Sequence, residues 1–96
     1  MATPAITFDQ FRDDMLAAGY DEVVERPWLP DTVVAVHTHP FEANALVVQG
    51  EMWLTEQGGA QRRLLPGDRF HLQAHVPHEE RYGPQGATYW VARRGG

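Results

Sequence analysis

Three histidines are the residues whose type and spacing most directly suggest chemistry. His37 and His39 stand two apart in Thr32-Val33-Val34-Ala35-Val36-His37-Thr38-His39, and His78 follows Val76-Pro77. The first segment reads as a strand, and side chains two apart in a strand point to the same face. If His78 opens a later strand of the same sheet system, three imidazoles converge. Such a cluster has two fates. It binds a metal ion, or its six ring nitrogens must all be satisfied by hydrogen bonds in the interior. Neutral buried histidine clusters without a metal are uncommon, because desolvation penalises protonation and leaves acceptors unpaired.

The surrounding carboxylates could complete such a centre. Glu80 lies two residues beyond His78 and shares its face. It could ligate a metal, orient a ligand histidine, or act as an acid or base. Tyr82 shares that face too and is a second candidate for proton transfer. Glu42 is the other carboxylate within reach, just past Pro40. In a regular strand it would face away from a site built on odd-numbered neighbours. A bulge after Pro40 would return it to the site, and a solvated surface acid is the competing reading. The same alternation places Phe41, Ala45 and Val47 near the histidines. Trp90, Met52 and Phe70 could close the pocket or be plain core. Arg81, Arg93 and Arg94 could attract an anion or simply be solvated.

The elements that must position these residues are short. Thr7 and Gln10 have capping-box spacing, and Ile6 and Phe11 that of a hydrophobic staple. They start a helix over about 7–18 that carries Phe8, Phe11 and Met15 on one stripe and ends at Gly19. After Tyr20 the pattern becomes strands near 22–28, 32–39, 44–56, 60–65, 69–73, 78–82 and 87–93. They are separated by Pro27, Pro30-Asp31, Pro40, Gly58-Gly59, Pro66-Gly67, Pro77 and Gly83-Pro84-Gln85-Gly86. This spacing predicts an antiparallel sandwich or barrel. Strands 32–39 and 44–48 are apolar on both faces. One face must line the interior, and the other must be covered by the helix, a second sheet or a partner subunit.

Composition sets the outer bounds. Ninety-six residues with 43 % hydrophobic content suit one globular domain over 1–96. The absence of cysteine excludes disulfides, thiolate metal sites and cysteine nucleophiles. Any metal must therefore sit on imidazole and carboxylate. Thirteen acidic against eight basic residues give a net charge of −5, which argues against nucleic acid or an anionic membrane as the main partner. No apolar run approaches membrane-spanning length, and the polar N-terminus does not resemble a signal peptide, so a cytoplasmic location is expected.

The frame around the histidines resembles the cupin family, the RmlC-like superfamily of small barrels. Cupins carry a first motif G-x5-H-x-H-x3-4-E-x6-G and a second G-x5-P-x-G-x2-H-x3-N. The segment HTHPFEANALVVQGE supplies His37, His39 and Gly50, and PGDRFHLQAHVPHEE supplies Gly67 and His78 at the family spacing. The likeness spans roughly 30 to 93. It implies an all-β, antiparallel jelly-roll β-barrel with a short N-terminal α-helix, and a divalent metal on His37, His39 and His78. The family glutamate falls on Ala43, with Glu42 one residue early. The second motif has Gln73, His75 and Tyr82 where the family has proline, glycine and asparagine.

Iron, manganese, nickel, zinc or copper would suit three imidazoles with one carboxylate. The resemblance implies a small-molecule ligand or substrate, with dioxygenase, isomerase or lyase chemistry open at this stage. A non-catalytic binding or sensor module is the alternative. The two-faced strands, with the family resemblance, also raise the expectation of a homodimer.

Overall fold

The chain begins on a helix whose two ends are both written in its side chains. In the computed structural model, which describes residues 6–96, α1 spans Phe8–Ala17. The Thr7 hydroxyl accepts from the Gln10 amide at 3.1 Å, and the Gln10 side chain accepts from the Thr7 amide at 2.8 Å. At the other end Gly19 takes φ +99°. Its amide donates to the Leu16 carbonyl, and the Tyr20 amide donates to that of Met15. This is the paired closure that a left-handed residue after the last turn makes possible. Phe11 is fully buried, and Phe8 and Phe11 pack on Trp90 at ring separations of 5.5 and 5.9 Å.

Six strands follow: β1 Glu22–Trp28, β2 Val33–His37, β3 Glu42–Glu56, β4 Arg62–Leu64, β5 Arg69–Leu72 and β6 His78–Arg94. All pairings are antiparallel. The strands predicted over 78–82 and 87–93 are one continuous strand. It passes through Gly83-Pro84-Gln85-Gly86 without leaving the sheet. β2 ends at His37, so His39 lies just past the strand rather than within it.

β3 and β6 are long because each runs through two leaves. Their first and last halves combine so that β1, the end of β6, the start of β3 and β5 form one leaf. The other leaf contains β2, the start of β6, the end of β3 and β4. This is the jelly-roll arrangement, in a sheet that does not close on itself. Alternation along β3 sorts the two faces. Ala43, Ala45, Val47, Met52 and Leu54 join the core between the leaves. Leu46 instead joins Trp90, Ala92, Tyr20 and Phe11 under the helix. Fully burying a side chain such as Met52 or Leu54 contributes about 1.5–3 kcal/mol. The outer face of β2 has no such cover: Val33 and Val36 remain 67 % and 64 % exposed. No helix among the described residues is long and apolar enough to cross a membrane.

The bend in β3 rests on Gly50. Its φ is +81°, and a Cβ there would meet the Gly86 carbonyl oxygen at 2.2 Å. Gly86, at φ +71°, is pressed in turn against the Trp28 carbonyl, 2.3 Å from where its own Cβ would be. Backbone therefore stacks on backbone across three strands, and neither neighbour can yield as a side chain could. Gly50→Ala should lower stability by more than about 2 kcal/mol, combining left-handed strain with overpacking. Gly58, at φ +77° but in open space, should cost only about 1–2 kcal/mol on the same substitution. Urea unfolding of the two variants against wild type measures the difference, and equal losses would show that the close approach is unimportant.

Candidate metal centre

The histidines meet because β2 and β6 pair end to start: His37, the last residue of β2, lies opposite His78, the first of β6. Their ring centroids are 4.3 Å apart. His39 reaches the same place from beyond the strand end, 4.9 Å from the His78 ring and 6.2 Å from that of His37. Two contacts hold it there. Its ring stacks on Phe41 at 4.1 Å, and its carbonyl accepts from the His75 amide at 2.8 Å. His75 itself is exposed, at a positive φ of 67°.

Each ring is oriented by its own stretch of backbone. Nδ1 of His37 lies 2.8 Å from the Ala35 carbonyl, that of His39 3.0 Å from Phe41, and that of His78 2.9 Å from Val76. A carbonyl can only accept, so every Nδ1 carries a proton, and in the neutral ring the lone pair is then on Nε2. That is the tautomer a metal-ligating imidazole needs. Burial pushes the His39 pKa below its usual value, and His78 and His37 add to the effect against the opposing Phe41 carbonyl. The ring is thus kept neutral.

Glu80 is the carboxylate at this cluster. It is 6 % exposed, with Oε2 3.8 Å from His37 Nε2 and 3.9 Å from His78 Nε2. Its other oxygen accepts from the hydroxyls of Tyr82 at 2.6 Å and Tyr89 at 3.3 Å. The candidate ligand atoms of His37, His78 and Glu80 all lie within 4.8 Å of one another. Two donors each roughly 2.1 Å from one cation sit between about 3 and 4.2 Å apart, and the carboxylate-to-imidazole separations of 3.8 and 3.9 Å fall in that range. Two imidazoles, a third beside them and one carboxylate also make a donor set suited to a divalent transition metal.

The cluster opens on a cavity of about 170 Å3, walled by Arg26, Trp28, Phe41, Phe70, Leu72, Tyr89 and Arg93 among others. A larger hollow of about 530 Å3 lies at the glycine corner. Its Glu51 and Arg63 are already paired with each other, and no histidine lines it.

Several sequence expectations change here. Glu42 is turned away from the histidines. β3 is paired on both edges from its first residues, so no bulge resets the alternation, and Ala43 takes the cavity side. The Glu42 carboxylate instead meets His71, Arg94 and the Tyr20 hydroxyl. Tyr82 shares the inward face, as expected, but is stacked on Trp28 at 4.8 Å and is 2 % exposed. Burial, reinforced by Tyr89 and Glu80, pushes its phenol far above the usual range. Tyr82 thus donates its hydroxyl to Glu80 at the back of the cluster. Tyr89 behaves alike, pushed up to about 12 by burial and then by Glu80. Trp90 lies under the helix and donates to Glu25 at 3.0 Å. Arg81 covers Trp53, Arg94 is bound to Glu42, and of the three arginines singled out in the sequence only Arg93 lines the cavity. Arg26, Trp28 and Tyr89 were missed. Val24, Arg26 and Trp28 alternate on one face of β1, and that parity was the available signal.

No family model matches the chain, and no curated protein matches it. Solved structures do. DMSP lyase DddQ from Ruegeria pomeroyi is 30 % identical over 76 % of this chain and 36 % of its own, with a TM-score of 0.66. KdgF from Halomonas sp. is 26 % identical over 75 % of this chain and 68 % of its own, at 0.64. An RmlC-like cupin from Shewanella frigidimarina is 24 % identical over 78 % and 66 %, at 0.68. The chain spans little more than a third of the two DMSP lyases it matches, 38 % and 36 % of their lengths. With the jelly-roll topology, these likenesses make the chain a cupin domain.

The ion pairs of Glu42 make a pH-dependent contribution with a definite sign. The hydrogen bonds from His71 and then Arg94 hold its carboxyl below the usual carboxylate value in the folded chain. The contribution is therefore present above the unfolded value and lost as pH falls through the folded one. In thermal melts, Glu42→Gln should be less stable than wild type at neutral pH. The gap should close below the ordinary carboxylate range. A gap of constant size down to acid pH would contradict this assignment.

Proposed function

We propose that the chain is a metal-binding cupin that holds one divalent transition ion on His37, His39, His78 and Glu80 and takes a small organic molecule there. The observation carrying this reading is the set of three Nδ1-to-carbonyl hydrogen bonds, which leaves three Nε2 lone pairs at one cavity beside a buried carboxylate. The second oxygen of the buried Glu80 faces only the imidazoles of His37 and His78, and a cation there would complete its partners.

When bound, the metal supplies Lewis-acid polarisation of an oxygen donor on the ligand. The chain's own residues do the rest. Backbone carbonyls orient the imidazoles. Tyr82 and Tyr89 hold Glu80 with one oxygen toward the histidines. Phe41, Phe70 and Leu72 keep that end of the interior apolar and raise the strength of every charge interaction inside it. Two of the similar structures bear the name DMSP lyase, which supports a small organic substrate and lyase-type chemistry.

One observation favours a second reading, ligand binding without turnover. If Glu80 and the imidazoles are committed to the cation, the ionisable groups left in the cavity are Arg26, Arg93 and Tyr89. None accepts a proton at neutral pH. Glu80→Gln separates the two. Retained metal with lost turnover would make Glu80 an acid or base, whereas lost metal makes it a ligand.

Elemental analysis of untagged protein should find roughly one equivalent of iron, manganese, nickel, zinc or copper. His37→Ala and His78→Ala should lose it while keeping the strand signature in circular dichroism. Wild type that binds none of these ions on incubation would sink the proposal. Tyr82→Phe should keep the fold and weaken metal affinity about tenfold or more, since it removes the shorter of the two hydrogen bonds that hold the ligating carboxylate.

A further inference from the structure

The cavity beside the histidines carries more positive charge than its own acids neutralise. Arg26 stands on the inward face of β1, opposite Tyr89 of β6. Its guanidinium lies 4.9 Å over the Trp28 ring, and it has no acidic partner among the described residues. Arg93 enters from β6, with its guanidinium 4.9 Å over Phe41. One of its terminal nitrogens lies 3.3 Å from Glu22, an acid that is 55 % exposed. Its Nε is buried without a hydrogen-bond partner. Glu80 is the one carboxylate among the described residues that lines this cavity, and its oxygens are taken by the phenols and directed at the histidines.

Inward-facing guanidinium groups beside aromatic walls lose solvation that only an anion restores. This happens in a chain whose net charge is −5, so the positive charge is local to the cavity. The planar fork of arginine matches a carboxylate in two-point contact. Trp28, Phe41 and Phe70 give the same space apolar walls suited to a short carbon skeleton. The volume of about 170 Å3 corresponds to the liquid volume of about six waters.

We infer that the cavity takes a small organic carboxylate, recognised by Arg26 and Arg93 while its carbon chain lies against the aromatic walls. The inference deepens the proposed function and rests on that reading for what the ligand does next to the metal. The charge recognition itself comes from the two arginines and is measurable whether or not an ion is present.

The test is a nitrogen-15 NMR titration of the protein as purified, at constant ionic strength in chloride, with propionate, propionamide and inorganic phosphate as probes. The readouts are the arginine Nε–H and Trp28 indole signals, with metal content measured on each sample. Propionate should shift these signals saturably at millimolar concentration. The isosteric neutral amide should bind at least tenfold more weakly, as should phosphate. Arg26→Gln and Arg93→Gln should each weaken propionate binding about tenfold, the loss of one charge-assisted contact, with metal content unchanged. Arginine-dependent propionate binding in metal-free wild type would remove the metal reading and leave the carboxylate site standing. Equal binding of propionate and propionamide, tighter binding of phosphate, or no saturable shift at tens of millimolar propionate would overturn the inference. So would undiminished binding in both variants. The wild-type comparison of acid and amide decides the matter even if a variant fails to fold.

Discussion

Everything that faces the cavity hangs from one antiparallel ladder, β3 against β6. It fixes His78 opposite Glu56, Glu80 opposite Leu54 and Tyr82 opposite Met52 in one leaf, and Tyr89 opposite Val47 in the other. Because β6 turns a corner between residues 82 and 87, Tyr82 and Tyr89 approach Glu80 from two sides of a single strand. The two phenols that hold the carboxylate are thus brought together by the bend. The bend in turn exists because Gly50 and Gly86 let backbone touch backbone. The corner lies outside the chemistry, yet it determines where Glu80 points.

The electrostatics follow from that assembly. Burial disfavours charged imidazole, as the lowered value of His39 records. It equally disfavours an ionised phenol, as Tyr82 and Tyr89 record. The same low-dielectric interior therefore favours the neutral ring of His39 and the protonated phenols of Tyr82 and Tyr89. Glu80 sits between them, one oxygen stabilised by donors and the other facing acceptors. An acceptor facing acceptors is satisfied by a cation, which is the physical content of the metal proposal. The arginines line the same cavity from β1 and β6.

Much of this was legible in the sequence where the rules are local. The helix start and its glycine stop depend on residues within a few positions of one another, and both appear as read. The jelly-roll form followed from strand alternation and the family frame, while His39 reaches the other two rings from beyond the end of β2. What was not legible depended on pairing between distant strands. Whether Glu42 faces in or out turns on whether β3 is bulged after Pro40, and the regular ladders to β5 and β6 decide that. Whether Tyr82 reaches a ligand turns on Trp28, which fills the interior from a strand more than fifty residues away. Tyr89 was readable as inward by parity, but its bond to Glu80 spans the corner. The sequence presents that corner as a break between two strands.

The exchange of Ala43 and Glu80 draws these threads together. In the cupin frame a carboxylate is expected on β3 at the position of Ala43, and that position does face the cavity here, with a methyl group in place of an acid. The acid nearest the imidazoles comes instead from β6, two residues past His78. A carboxylate on β3 at this position would stand opposite Arg93 on the cavity side. An alanine leaves that space open. A carboxylate on β6 at this position is held by hydrogen bonds from both phenols. Placing the acid on β6 has two consequences. It keeps a carboxylate beside the imidazoles, and under the proposed reading it leaves the β3 side of the cavity, opposite Arg93, for the ligand's own carboxylate.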